Sequence, residues 1–104
     1  MAKEETQNNQ LNIELSEEIA EGTYSNLAII SHSPTEFVID FIRVVPNVPK
    51  AKVKSRIVLT PQHAKRLLAA IADNVKKYEA QFGKIEGQAE NPFPPINFTP
   101  TAQA

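Results

Sequence analysis

Hydrophobic and polar residues alternate along several stretches in the first sixty residues of the chain. Leu11, Ile13 and Leu15 alternate with polar neighbours, and residues 23–31 form a second stretch rich in β-forming residues. Alternation with a period of two is typical of a strand with one buried face. The two stretches therefore predict two strands, separated by a turn at Gly22.

The third stretch, residues 36–45, is the most apolar segment and follows a predicted turn at residues 32–35. Both faces of this strand carry large apolar side chains; one face holds Phe37, Ile39 and Phe41, and the other holds Val38, Asp40 and Ile42. Prolines at 46 and 49 end the strand, because proline cannot donate to a ladder. A strand that is apolar on both faces is expected to be buried on both, against other elements or other chains.

The fourth stretch, residues 51–59, alternates most clearly. Its apolar residues predict one buried face, and the basic residues Lys50, Lys52, Lys54 and Arg56 predict the opposite face. Because short connections favour antiparallel neighbours, the four stretches predict a meander-like sheet of about four strands.

A long amphipathic helix is predicted after the sheet. Thr60 is a suitable N-cap, Pro61 fits the first helical position, and Gly83 fits the position just past the end. Between them an apolar stripe recurs at alternating spacings of four and three, with Leu67 widening it, through Ala64, Leu68, Ile71, Val75, Tyr78 and Phe82. The fold class is therefore α+β, with an antiparallel sheet followed by one helix.

The predicted stripe is about 30 Å long, whereas a strand of five or six residues spans roughly 17–20 Å. Two arrangements would cover the excess. The helix could cross its own sheet obliquely, with its last turn on the tail, or apolar surfaces from two or more copies could meet. We favour the second arrangement and expect a homo-oligomer.

The 104 residues leave room for one domain. Residues 1–10 are polar and predict a disordered N-terminal arm, residues 11–85 predict the sheet and helix domain, and residues 86–104 form a proline-rich tail. The part that must fold by itself is small, and at such sizes oligomerisation often completes the core.

Composition restricts the classes of partner. Hydrophobic residues make up 41% of the chain and charged residues 22%, the net charge is -1, and cysteine is absent. This balance argues against a surface devoted to nucleic acid or membrane, and it excludes disulfides and thiolate metal sites. With no apolar run of about 18 residues and no signal-peptide pattern, we expect a soluble, cytoplasmic domain that does not enter a membrane.

Candidate catalytic chemistry is sparse. His32 and His63 are the only histidines, and neither accompanies a nucleophile elbow or a carboxylate cluster. Glu36 and Asp40 share a face of the predicted third strand, but salt bridges to the basic fourth strand explain them better than acid–base catalysis. No glycine-rich phosphate loop occurs. We therefore expect no enzyme and no cofactor, catalytic or metal site.

Two surfaces are candidates for binding. The first is a candidate surface for an anionic partner, along the basic strand. On a strand its side chains would point the same way, with neighbours roughly 6.6 Å apart. Its members are Lys50, Lys52, Lys54 and Arg56. The favoured interpretation of this row is a solvated face, or an edge strand that its lysines protect from pairing with another sheet. The row lacks the interleaved aromatic residues that base stacking requires, so nucleic acid is the less favoured partner. The second is apolar and combines the third strand, the end of the helix and the tail, at Val38, Ile42, Tyr78, Phe82, Phe93, Ile96 and Phe98.

Three motifs carry a resemblance to a bacterial family of small domains of unknown function: Tyr24-Ser25-Asn26, Ser33-Pro34-Thr35-Glu36-Phe37 and Lys77-Tyr78-Glu79. The resemblance covers roughly residues 11–85 and brings no activity and no functional residues. In its order of strands, long helix and the segment FPPINFTP at residues 93–100, the chain is also weakly similar to the export chaperone SecB. That family binds unfolded chains in the grooves of an oligomer, but this chain lacks a clear second helix.

These features predict a non-enzymatic, oligomeric protein- or peptide-binding domain of the chaperone kind. The alternative is a nucleic-acid-associated protein that uses the basic strand from Lys50 to Arg56.

Overall fold

The computed structural model describes residues 10–87 and 97–98. The described residues form, in chain order, the short helix α1 (Glu17–Ala20), strands β1 (Leu27–His32), β2 (Phe37–Arg43) and β3 (Lys52–Leu59), and the long helix α2 (Pro61–Phe82). The described part is thus an antiparallel sheet of three strands followed by a long helix, which confirms the α+β class. Two compact units divide the chain, residues 1–64 with the sheet and residues 65–104 with most of α2.

The strand predicted around Leu11, Ile13 and Leu15 does not form, so the prediction of about four strands was wrong by one. A period of two produces a strand only when a neighbour supplies its hydrogen bonds, and among the described residues none pairs with this segment. Its three apolar side chains are instead at least 69% exposed. The chain then turns into α1, where Ser16 Oγ accepts a hydrogen bond from the backbone N–H of Ile19.

Strand β2 lies in the centre of the sheet, and β1 and β3 flank it. The predicted turn between β1 and β2 forms, and Ser33 organises it. Ser33 Oγ accepts hydrogen bonds from the backbone N–H groups of Thr35 and Glu36, each at 3.2 Å, and Ser33 N–H donates to the carbonyl of Glu36. His32 lies just before the turn, as the last residue of β1.

A β-bulge interrupts the pairing of β2 with β3. Phe41 is paired with Ser55 and Ile42 with Val53, so Lys54 is an extra residue on β3. The loop before it reverses direction through Asn47, whose φ of 67° lies in the left-handed region that asparagine tolerates better than most residues. The bulge shifts every β3 residue before Ser55 by one position relative to β2.

The buried apolar core of the described residues is small. It consists of Ile39, Ile42 and Leu59, at 9%, 4% and 8% exposure, with Asp40 as the buried polar residue. None of the described side chains falls below 2% exposure. Three buried side chains remove little apolar area from water compared with the conformational entropy that folding must overcome.

Helix α2 has the predicted bounds. Thr60 Oγ1 accepts a hydrogen bond from the backbone N–H of His63 at 3.1 Å, which is the N-cap contact. At the other end Gly83 adopts a φ of 97°, a conformation that favours glycine, and its N–H donates to the carbonyl of Glu79. None of the 22 residues of α2 is buried.

Candidate interaction surface

The apolar stripe of α2 is exposed along most of its length. Among its large side chains the exposed fraction ranges from 38% at Val75 to 69% at Leu68, and Tyr78 and Phe82 expose 49% and 66%. The rings of Tyr78 and Phe82 pack against each other with centroids 5.0 Å apart. These two predicted surface residues therefore form an exposed aromatic pair one turn from the end of the helix.

The segment after α2 turns back along the helix and forms one wall of a shallow apolar groove. Glu79 Oε2 accepts a hydrogen bond from the backbone N–H of Ile85 at 2.9 Å, which holds Ile85 beside the stripe. We call this surface the helix groove; it is lined by Leu67, Ala70, Ile71, Asn74, Val75, Tyr78 and Ile85. The sequence pattern missed Ile85, because it lies beyond the helical period.

The opposite side of α2 is polar. Lys77 Nζ lies 3.1 Å from Asp73 Oδ2, an i, i+4 pair with both side chains more than half exposed. Such a pair contributes about 0.3–0.5 kcal/mol to a helix. The contrast between this side and the helix groove gives α2 one apolar and one hydrated surface.

On the sheet, the structure separates the two predicted β2 residues. Val38 is partly buried and remains a candidate for contact, whereas Ile42 is 4% exposed and belongs to the core. The prediction treated the two as equivalent because both alternate on the same face of β2. Position along the strand decides between them, since Ile42 lies between Leu27 and Val53 of the neighbouring strands.

The other face of the sheet carries an apolar row that the sequence pattern did not single out. Ile30, Ile39 and Ile57 are in register across β1, β2 and β3, and we call them the isoleucine row. Ile39 in the centre is buried, while Ile30 and Ile57 are 60% and 41% exposed. Their alternation was visible in the sequence, but only the register shows that they are neighbours.

The predicted tail residues are mostly outside the described part of the chain. Phe93 and Ile96 lie outside the described residues, and Phe98 is described and is 40% exposed. The candidate surface therefore retains Phe98, and the roles of Phe93 and Ile96 stay predictions.

The basic residues do not form the single row that alternation predicted. Lys50 lies before β3, in the loop. The bulge pairs Lys52 with Arg43, while Arg56 pairs with Asp40. Because Arg43 and Asp40 are an odd number of residues apart on a regular strand, Lys52 and Arg56 lie on opposite faces of the sheet. The expectation of four parallel basic side chains was wrong.

Arg56 is engaged by a buried acid. Its Nε donates to Asp40 Oδ1 at 2.6 Å, and a terminal guanidinium nitrogen donates to Asp40 Oδ2 at 2.8 Å. The Asp40 side chain is 4% exposed and that of Arg56 is 54% exposed. These hydrogen bonds, more than the charge of Arg56 itself, lower the pKa of Asp40 below its ordinary value against the opposing effect of burial. The expected salt bridge from Asp40 to the basic strand is confirmed.

The Tyr24-Ser25-Asn26 motif immediately precedes β1 and extends its pairing with β2. Asn26 Oδ1 accepts from the backbone N–H of Val44 at 2.8 Å, and Asn26 Nδ2 donates to the Val44 carbonyl at 3.0 Å. Ser25 Oγ lies 3.1 Å from the Ile42 carbonyl, to which it donates. The guanidinium carbon of Arg43 lies 5.8 Å from the centroid of the Tyr24 ring. The motif thus has a structural role in closing this end of the sheet.

The remaining residues considered for catalysis or metal binding belong to different elements of the fold. His32 stacks on Phe37, with ring centroids 5.3 Å apart, and His63 lies in the first turn of α2. Glu36 precedes β2 in the Ser33 turn, so it is not part of the strand that carries Asp40. Among the described residues, no group of three or more His, Cys, Asp or Glu could hold a metal ion. The helices that the structure describes include none that is long and apolar enough to cross a membrane.

Comparison with known proteins gives a match to a protein family and nothing beyond it. A family model described as "Protein of unknown function (DUF3467)" matches residues 1–87. No curated protein and no solved structure matches the chain significantly. The likeness to SecB is therefore not shown by these comparisons.

Proposed function

We propose that this chain, which belongs to the DUF3467 family of proteins of unknown function, is a non-enzymatic protein-binding domain that works as a homo-oligomer. The observation that carries the proposal is the imbalance between buried and exposed apolar side chains. The described core has only three buried apolar residues, whereas large apolar residues on the sheet and on α2 remain exposed. Exposed apolar surface on each of the two units is typical of protein-binding sites.

The exposed edge of β1 supports the same proposal. Strand β1 carries no Asp, Glu, Lys or Arg, and among the described residues only β2 pairs with it. An uncharged edge strand offers unpaired backbone groups to another chain. Strand β3 differs, because Lys52, Lys54 and Arg56 give its edge the charge that discourages such pairing.

Binding to nucleic acid is supported less well. The bulge places Lys52 and Arg56 on opposite faces, and Asp40 already neutralises Arg56. A phosphate backbone needs several free cations on one surface. The geometry therefore favours protein over nucleic acid as the partner.

Light scattering during size exclusion tests the assembly. We expect a mass of at least twice the 11.5 kDa of one chain across a wide range of loading concentrations. A concentration-independent mass near 11.5 kDa would contradict the proposal.

Binding of an unfolded chain tests the surface. The probe is a fluorescently labelled, reduced and carboxymethylated protein that cannot refold, and binding is followed by fluorescence anisotropy. We expect Ile30→Lys and Ile57→Lys to weaken binding, because each places a charge on the isoleucine row. Asn12→Lys is the matched control, since Asn12 is exposed and lies outside the sheet. Equal binding by all four proteins would show that the row is not the site.

A further inference from the structure

We propose that α2 of one copy pairs with α2 of a second copy in antiparallel orientation, through the apolar stripe of α2, of which Ile71, Val75 and Tyr78 also line the helix groove. This inference rests on the proposed homo-oligomer and names its interface. It commits the exposed stripe of α2 to one occupant, which is the same stripe of another chain.

The spacing of the stripe is that of a helix pair. Its members recur at strictly alternating intervals of four and three, through Ala64, Leu68, Ile71, Val75, Tyr78 and Phe82. A strict alternation of four and three is typical of a coiled-coil seam, and Leu67 and Ile85 widen the apolar face on one flank of it. Since Leu68 and Phe82 are 69% and 66% exposed, the seam is largely open from Leu68 to the end of the helix.

The sizes of the seam residues favour the antiparallel orientation. When two such helices run in opposite directions, each layer combines residues from opposite ends of the stripe. The smallest then meets the largest, and the resulting layers are Ala64 with Phe82, Leu68 with Tyr78, and Ile71 with Val75. Parallel helices would instead stack Phe82 on Phe82 and leave Ala64 facing Ala64. Layers of similar total side-chain volume are easier to fill without cavities or steric overlap.

Charge complementarity points to the same orientation. Lys65 and Glu79 lie next to the seam on the same flank, each seven residues from Ala72. The layers above are symmetric about Asp73, so Lys65 of one copy lies about 3 Å along the axis from Glu79 of the second copy, and symmetry repeats the contact on the other side. In a parallel pair, Lys65 and Glu79 of the two copies would be about 21 Å apart along the axis. Glu79 Oε2 accepts from the Ile85 N–H, and in the antiparallel pair Glu79 Oε1 would accept from Lys65 of the second copy.

Cross-linking between single cysteines distinguishes the orientations. The sequence has no cysteine, so each variant carries one reactive thiol. Ala72 lies close to the two-fold axis of the antiparallel pair, and Ala72→Cys is expected to give a covalent dimer with a short bismaleimide. Lys65→Cys is expected not to link to itself, because the two thiols would be roughly 24 Å apart along the axis. Lys65→Cys mixed with Glu79→Cys is expected to link, and Lys76→Cys on the polar side is the control.

The outcomes separate this inference from the proposed function. Self-linking of Lys65→Cys would show a parallel pair and overturn the antiparallel orientation. An oligomer by light scattering with no link at Ala72 would also overturn the inference, while the proposed function stands with another interface. A monomer by light scattering would overturn both.

A charge exchange provides a second measurement that does not depend on a cross-linker. Lys65→Glu is expected to weaken dimerisation by roughly fivefold, because it replaces two attractions per dimer with two repulsions. Adding Glu79→Lys is expected to restore dimerisation, and Lys76→Glu is the matched control on the polar side. Because Glu79→Lys also removes the acceptor of the Ile85 N–H, Glu79→Gln, which keeps an acceptor oxygen but loses the charge, is measured beside it and is expected to weaken dimerisation. The contact between Lys65 and Glu79 is refuted if Glu79→Gln dimerises like the wild type and the double variant is no better than Lys65→Glu. Circular dichroism of every variant checks that the helix remains folded.

Discussion

Replacing Arg56 with alanine isolates the buried carboxylate of Asp40. In the wild type, Asp40 is 2% exposed and accepts two short hydrogen bonds from the guanidinium. Removing the donors leaves a charge that can neither be hydrated freely nor paired. Hydrogen bonds to charged groups contribute about 1.5–3 kcal/mol. Because the Arg56 side chain is 54% exposed, solvent screens the pair, and we expect Arg56→Ala to destabilise the chain clearly but at the lower end of that range.

Urea denaturation at neutral pH measures this cost. All variants must be compared at one protein concentration, because assembly couples to folding. Lys54→Ala is the matched control, since Lys54 is the exposed bulge residue on the same strand, and it should stay within about 0.5 kcal/mol of the wild type. The single variant Asp40→Asn and the double variant Asp40→Asn with Arg56→Ala complete a double-mutant cycle. Its coupling energy measures the interaction between Asp40 and Arg56.

The pH dependence gives the sign of the effect. Folding lowers the pKa of Asp40 below its ordinary value of 3.8, so the unfolded chain binds a proton more readily than the folded one. The stabilisation is therefore fully present above the ordinary pKa and is lost as the pH falls through the lower folded value. We expect the stability of the wild type relative to Asp40→Asn to be constant near neutral pH and to decline in acid, below pH 3.8.

Two results would refute this reasoning. The first is an Arg56→Ala variant as stable as Lys54→Ala, which would mean that Asp40 is solvated in solution. The second is a decline that begins well above pH 3.8, which would require a raised pKa at Asp40.

Two further predictions concern the motif before β1 and the basic residues. Asn26→Ala should destabilise the chain by about 1 kcal/mol, because it removes two hydrogen bonds to the Val44 backbone; Asn12→Ala, exposed outside the sheet, is the control for the same urea midpoint. We also expect no specific nucleic-acid binding at physiological salt, as measured by fluorescence anisotropy. Tight binding by the wild type would contradict this if it is lost in the triple variant Lys50→Thr, Lys52→Thr and Lys54→Thr.

The elements that the sequence predicted well are those specified by local interactions. The N-cap at Thr60, the glycine at position 83 and the turn at Ser33 depend on hydrogen bonds and dihedral angles within a few residues. The α2 stripe also depends only on a period along one helix. These features were therefore predictable before any tertiary contact was known.

The candidate surface could be predicted only in part. Tyr78 and Phe82 are exposed on α2 as the stripe suggested, but Ile42 is buried and Ile30 had not been singled out. Exposure of a strand residue depends on which strands flank it, and a sequence pattern does not reveal those neighbours.

Register and strand pairing were decided by the tertiary structure. A period of two at Leu11 to Leu15 describes a chain that is able to pair, but a strand exists only where another strand's backbone receives its hydrogen bonds. Likewise the bulge beside Ile42 moved Lys52 to the face opposite Arg56. Alternation places side chains only relative to their own strand, and a single extra residue reverses the assignment for everything before it.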